Sequence, residues 1–125
     1  MIFILPIRTT NPLNNAQGFS KGATFAKARQ RKQQRSIAEM ATRVRVQGRM
    51  SMPIVVTITR LAPSSGLDSD GLAAAMKSVR DGIADGLGLA NDRDPRVRWV
   101  LDQRRTPRSL WGVEIRIEPE AEVAA

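Results

Sequence analysis

The alternation of apolar and polar residues along the chain predicts four strands and two helices. A β-branched run at residues 54–59 is typical of a buried strand. Apolar residues recur every three or four positions between residues 71 and 87, as on one face of an amphipathic helix. Two later segments alternate between apolar and polar residues, which predicts half-buried strands. In chain order we predict a strand at residues 2–5, a helix at 21–46, a strand at 54–59, a helix at 71–87, and strands at 97–102 and 111–117.

This order predicts a small α+β domain in which two main helices pack against a mixed β-sheet. The length of 125 residues favours a single domain. We divide it into a basic loop and helix at 8–49, a core at 53–118 and a frayed tail at 119–125. No apolar run approaches the roughly 20 residues that span a bilayer, and the first residues lack the basic start of a secretory signal. We therefore expect a cytoplasmic protein with no membrane partner.

Three missing residue types narrow the possible chemistry. The chain has no Cys and no His, which excludes disulfide frameworks, Cys- or His-ligated zinc sites and Ser-His-Asp triads. It also has no Tyr, which excludes strand transfer through a phosphotyrosyl intermediate. An enzyme with this composition must use carboxylates, Lys, Arg, Ser or Thr. The two Trp residues fall on predicted apolar strand faces, and we expect them to pack in the core rather than stack on bases.

The net charge of +8 is segregated along the chain. Residues 1–60 contain 11 Lys or Arg and one acid, whereas residues 61–125 contain 9 basic and 11 acidic residues. A basic half joined to an acidic half indicates a surface for a polyanion and a region with another task. We expect the phosphate-contacting surface to include Lys21, Lys27, Arg29, Arg31, Lys32 and Arg35.

Two clusters of aspartates bracket the second predicted helix. Asp68 and Asp70 lie two positions apart before the helix, so in extended chain their carboxylates project to the same side. Asp92 and Asp94 lie between the helix and the next strand. Paired carboxylates suit Mg²⁺, which prefers oxygen ligands. The spacing equally allows a structural role, with Asp70 as a helix N-cap and the later pair as turn residues.

Lys77 and Asp81 lie on the helix face opposite its apolar stripe, at about the same azimuth as Asp70. In that position Lys77 would be able to neutralise negative charge that develops on a phosphate. An i,i+4 surface ion pair between Lys77 and Asp81 is the alternative.

The ordered motifs around this helix resemble the RusA-type Holliday junction resolvases, in the form carried by phages and prophages. The resemblance covers roughly residues 53–118. It rests on Gly-Leu-Asp-Ser-Asp-Gly-Leu at 66–72, the Lys and Asp four apart within 76–85, and Leu-Ala-Asn-Asp-Arg-Asp-Pro-Arg-Val at 89–97. Residues 102–105 and 111–117 also fit this form, and Asn-Pro-Leu-Asn at 11–14 weakly echoes the family's opening.

The resemblance implies a magnesium-dependent endonuclease that hydrolyses phosphodiester bonds in four-way DNA junctions during recombination and repair. By position, Asp68, Asp70 and Asp92 match the catalytic, metal-binding aspartates, and Lys77 matches the catalytic lysine. The implied cofactor is Mg²⁺, with Mn²⁺ as an alternative, and no small-molecule cofactor is implied. The chain departs from the family pattern at Gly71, where Asn is usual, at Asn91, where an acid is usual, and in a longer gap between Asp70 and Lys77.

The implied partners are branched DNA and a second copy of the chain, since a four-way junction needs two symmetric nicks. A straight helix of about 16 residues would be about 24 Å long, which would keep Asp92 far from Asp68 and Asp70 of the same chain. We therefore expect a two-fold dimer with antiparallel helices to assemble a shared site. The alternatives are a non-enzymatic basic nucleic-acid-binding or packaging protein and a family member that binds junctions without cutting them.

Overall fold

A computed structural model shows four strands and two helices in the predicted order. The structure describes residues 1–9, 21–48 and 50–121. The predicted loop residues 10–20, the side chain of Lys21 and the end of the tail at 122–125 lie outside the described part. The elements are β1 Ile2–Leu5, α1 Lys21–Val46, β2 Ile54–Ala62, α2 Ser69–Gly86, β3 Val97–Arg105 and β4 Gly112–Pro119.

The four strands form one mixed sheet in the order β1-β4-β2-β3. Strands β2 and β3 are parallel, because α2 returns the chain between them. Strand β4 runs antiparallel to both β1 and β2. The predicted α+β class with a mixed sheet and two main helices is thus confirmed. The parallel crossover places the start of α2 beyond the carboxyl end of β2, where the first aspartate pair lies.

Both helices contribute to the core on one face of the sheet. Alternate β2 residues, Ile54, Val56 and Ile58, are fully buried and belong to the same cluster as residues of α1 and α2. The predicted apolar stripe of α2 supplies the core residues Leu72, Met76, Val79 and Ile83. The periodicity of the sequence predicted this face because residues three and four apart lie together on a helix.

The two helices approach each other closely at two glycines of α2. A Cβ at Gly82 would overlap the backbone oxygen of Arg35, and one at Gly86 would lie 2.7 Å from the Thr42 Cβ. The opposing side chains of Ala38 and Thr42 are fully buried. This close contact between the helices places polar residues of α1 beside the polar face of α2.

Several element ends differ from the prediction, among them the end of β3, which continues to Arg105 rather than residue 102. Strand β2 continues to Ala62, three residues past the predicted end, while α2 starts at Ser69 rather than near residue 71. Strand β4 extends to Pro119, and the Glu120 N–H donates to the Pro53 carbonyl at 3.0 Å, so this part of the predicted frayed tail is paired. Among the described helices, none is long and apolar enough to cross a membrane.

Candidate functional site

The first aspartate of the predicted pair caps helix α2. Asp68 has extended backbone angles, and its Oδ1 accepts a 2.8 Å hydrogen bond from the Gly71 N–H. This satisfies one of the amides that a helix leaves unpaired at its N-terminus. The structure therefore corrects the alternative in which Asp70 was the N-cap. One carboxylate oxygen of Asp68 is not used by this hydrogen bond.

Asp70 lies in the first turn of α2 and is exposed. We expected extended backbone at both Asp68 and Asp70, which would direct their carboxylates to the same side. The backbone is extended at Asp68, whereas Asp70 is already helical. Within the described residues, the Asp70 carboxylate makes no hydrogen bond and no ion pair. Both of its oxygens are therefore available to a ligand.

The backbone just before Asp68 is held by Gln103, a residue of β3 that the sequence did not single out by itself. The Leu67 N–H donates to Gln103 Oε1 at 2.8 Å, and Gln103 Nε2 donates to the Leu67 carbonyl at 2.7 Å. One side-chain amide thus satisfies both backbone groups of Leu67. This contact anchors the loop that leads into the Asp68 cap.

Lys77 brings two distant acidic positions together. Its Nζ donates to Asp81 Oδ1 at 2.9 Å and to Asp92 Oδ2 at 2.8 Å. The i,i+4 ion pair between Lys77 and Asp81 is therefore present, but it is part of a larger cluster. Three of the positions that carry the family resemblance meet at one place on α2.

Arg80 completes this cluster and was missed by the sequence analysis. Its Nε lies 2.9 Å from Asp92 Oδ2, and its guanidinium carbon lies 4.9 Å from the centroid of the Trp99 ring. Trp99 in turn donates from Nε1 to the Asp92 carbonyl at 2.8 Å and packs against the core. The three-residue spacing from Lys77 was the only signal in the sequence, because residues three apart share a helix face.

The hydrogen bond between Lys77 and Asp92 stabilises the charged form of both side chains. The hydrogen bond from Lys77 lowers the pKa of the Asp92 carboxyl below its ordinary value of 3.8. The same bond raises the pKa of the Lys77 ammonium above its ordinary value of 10.5. Lys77 is therefore a fixed cation at neutral pH. It is suited to electrostatic stabilisation of an anion and not to proton abstraction.

A basic groove runs between the two helices and has Lys77 in its lining. We define it by its lining residues Lys27, Arg31, Lys32 and Arg35 of α1 and Ala74, Lys77, Ser78 and Asp81 of α2. Arg35 is also held by Asp85, with 2.7 and 3.1 Å hydrogen bonds. Four of the six residues predicted to contact phosphate thus line one surface. Arg29 is exposed outside the lining of this groove, and the Lys21 side chain lies outside the described residues.

The predicted metal-binding aspartates do not meet within one chain. Asp92 contacts α2 at Lys77 and Arg80, which lie seven and ten residues after Asp70. At 1.5 Å per residue this separation is about 10–15 Å along the helix. Among the described residues, no group of three or more acidic side chains is placed to hold one metal ion.

The remaining acidic turn residue has a structural role. Asp94 accepts from the Arg96 N–H at 2.9 Å and forms an ion pair with its guanidinium at 2.8 Å. The Arg96 side chain lowers the pKa of the Asp94 carboxyl to about 2. Asn91, where the family has an acid, accepts from the Arg93 N–H at 2.8 Å. Both side chains stabilise the turn between α2 and β3.

Comparison with known proteins does not add a family assignment to this geometry. No protein-family model matches the chain, and no curated protein matches it significantly.

Proposed function

We propose that this chain is a RusA-type resolvase, a magnesium-dependent endonuclease that cuts four-way DNA junctions as a homodimer. The observation that carries the proposal is the position of Lys77. It contacts Asp81 and Asp92 and also lines the basic groove. A DNA strand in that groove would place a phosphate beside Lys77.

The basic groove suits a nucleic-acid backbone more than a small anion. Four of its five lining cations follow one another along α1, and cations spaced in this way contact successive phosphates. Such contacts release counterions and do not depend on base sequence, so the affinity should fall steeply with salt. This behaviour fits a protein that recognises the shape of a junction.

The residues at the start of α2 fit a magnesium ion. Asp70 has two available carboxylate oxygens and Asp68 has one beside its capping bond. Magnesium is commonly held by one or two carboxylates together with phosphate and water. When bound there, the ion would polarise the scissile phosphate and lower the pKa of a water molecule.

The protein side chains would act mainly by position and charge. Gln103 holds the Leu67 backbone and thereby orients Asp68. Lys77 remains protonated and would neutralise the charge that increases on the phosphate oxygens as water attacks. Asp92 and Asp81 fix the position of the Lys77 ammonium.

We propose further that Asp92 completes the metal site of the partner chain. Antiparallel α2 helices would bring Asp92 of one chain to Asp70 of the other under one condition. The two-fold axis must cross α2 midway between Asp70 and the part of the helix that Asp92 contacts. That level is near Ala73, which is exposed and has the same helix face as Asp70 and Lys77. A small residue there permits close approach of the two helices.

The test of cutting uses a synthetic four-way junction with magnesium. Wild-type protein should cut it into symmetric nicked products, and Asp70→Asn should bind the junction without cutting. Asp102→Asn is the matched control, because Asp102 is exposed on β3 and outside the site. If all three proteins bind the junction and none cuts it, the protein is a junction binder and the nuclease proposal is wrong.

The shared site is tested by mixing inactive variants. Asp70→Asn and Asp92→Asn each remove one part, so co-expressed chains should form heterodimers with one intact shared site and regain nicking. Light scattering should show a dimer, and Ala73→Arg should convert it to a monomer. Dimers that cut only when Asp70 and Asp92 are intact in the same chain would refute the shared site.

A further inference from the structure

A second cationic cluster lies at the carboxyl end of β2, on the face of the sheet that the helices cover. Arg60 is 4% exposed, and Arg8 and Arg60 lie over the ring of Trp111, with their guanidinium carbons 4.6 and 5.6 Å from its centroid. Arg60 also donates to the Thr9 Oγ1 at 3.2 Å and to the Thr9 carbonyl at 3.4 Å. Trp111 therefore contacts two cations, whereas the sequence predicted only a role in core packing.

Arg60 has no carboxylate partner among the described residues. Residues 10–20, which follow Thr9, contain no Asp or Glu. Burial lowers the pKa of the Arg60 guanidinium from its ordinary value. Buried charges are normally paired, because the loss of hydration is costly without a counterion. The two Thr9 bonds use only part of the five N–H donors of a guanidinium.

The register of the sheet places this cluster near the start of α2. Arg60 pairs with Gln103 across β2 and β3, and Gln103 holds the backbone of Leu67, next to Asp68. Adjacent strands lie about 4.8 Å apart. The cationic cluster and the Asp68 cap are therefore at the same end of the sheet, whereas the basic groove lies between the helices.

We propose that Arg60, Arg8 and Trp111 form a phosphate-binding site. It would bind a backbone phosphate of a DNA strand of the junction that does not lie in the basic groove. Nε and one N–H of Nη2 of Arg60 already donate to Thr9, which leaves parallel N–H groups on Nη1 and Nη2 for phosphate oxygens. Arg8 and the ring of Trp111 would close the site from the exposed side. The binding of a phosphate depends only on this cluster, whereas its assignment to DNA rests on the proposed function.

The first experiment measures phosphate binding by the intact protein without magnesium. Thermal unfolding is followed in sodium phosphate and in sodium chloride of equal ionic strength. Phosphate should raise the Tm of the wild type but not that of Arg60→Met. Without phosphate, Arg60→Met should melt at the same or a higher temperature, because it removes an uncompensated buried charge. Arg98→Met is the control, since Arg98 is exposed and pairs with Glu120.

The second experiment measures binding of a labelled four-way junction in EDTA by fluorescence anisotropy. Arg60→Met should weaken binding about tenfold or more, as expected for the loss of a charge-assisted pair. Arg60→Lys should recover only part of the affinity, and Arg98→Met should be close to wild type. In a Trp99→Phe background, the emission of Trp111 should change when the junction binds. If Arg60→Met does not fold, Arg8→Met and Arg60→Lys replace it in both experiments.

Two results would overturn the proposal. An equal effect of phosphate on the Tm of the wild type and Arg60→Met would mean that Arg60 serves the fold alone. A phosphate effect that depends on Arg60, with unchanged junction affinity, would overturn the assignment to DNA. Neither readout requires cutting, so a failure of the nuclease proposal would be seen separately.

Discussion

Lys77 and Asp92 are joined by a 2.8 Å hydrogen bond across 15 positions of sequence. The bond connects the middle of α2 to the turn before β3. Because Asp92 also contacts Arg80, its single carboxylate is shared by two cations. This arrangement makes the cluster both a structural contact and the centre of the proposed active site, and variants are needed to separate the two roles.

Replacement of Asp92 should reveal its contribution to stability. Asp92→Asn leaves Lys77 and Arg80 without their common anion and should lower the free energy of unfolding by about 1 kcal/mol. The loss is smaller than for a fully buried ion pair, because solvent screens the exposed Lys77. Urea unfolding at neutral pH measures the loss. Asp102→Asn should change stability much less, and an equal loss in both variants would contradict the contribution of the cluster.

The same contact should depend on pH in both directions. The pKa of Asp92 is lowered by folding, so its contribution is complete above the ordinary value of 3.8 and is lost as the pH falls through the lower folded pKa. The pKa of Lys77 is raised, so its contribution is complete below 10.5 and is lost as the pH rises through the higher folded pKa. Unfolding free energies of wild type and Asp92→Asn should therefore converge in acid. A constant difference down to pH 2 would be evidence against this linkage.

Two substitutions of Asp68 should separate capping from chemistry. Asp68→Ala removes the acceptor for the Gly71 N–H and should destabilise the protein by about 1 kcal/mol. Asp68→Asn retains an oxygen acceptor and should stay close to wild-type stability, but it should lose junction cutting because the metal-binding charge is reduced. Thermal unfolding and nicking assays on both variants check this. Full activity of Asp68→Asn would leave this residue with the capping role alone.

Gln103 should act on Asp68 through the Leu67 backbone. Gln103→Leu removes both hydrogen bonds and should cost about 1–3 kcal/mol, because it leaves two partly buried backbone groups unsatisfied. The Leu67 amide should then exchange faster with solvent, as measured by hydrogen exchange. Gln103→Glu keeps the acceptor for the Leu67 N–H and should protect that amide more than Gln103→Leu does. Unchanged protection in both variants would show that the loop is held by other contacts.

The contact between the helices should tolerate no added volume at Gly82. Gly82→Ala would overlap the Arg35 backbone oxygen and should destabilise the protein by about 1–3 kcal/mol, although Ala is the better helix former. Ala28→Gly, at an exposed position of α1, should cost about 1 kcal/mol from helix propensity alone. A gain of stability in Gly82→Ala would show that the helices can separate without penalty.

The sequence by itself determined the order of the elements, the apolar face of α2 and the segregation of charge, because these depend on periodicity and composition. Residues 72, 76, 79 and 83 are in the core as their spacing predicted. The resemblance also selected Lys77, Asp81 and Asp92, which the structure brings together.

Only the tertiary structure decided which distant residues meet. Arg80 contacts Asp92 because the turn after α2 folds back along the helix, and Gln103 reaches Leu67 because β3 lies parallel to β2. Arg60 interrupts an apolar strand, but which of the described residues surround it depends on neighbours from other parts of the fold. Such contacts arise from strand register and helix packing, which local sequence patterns do not encode.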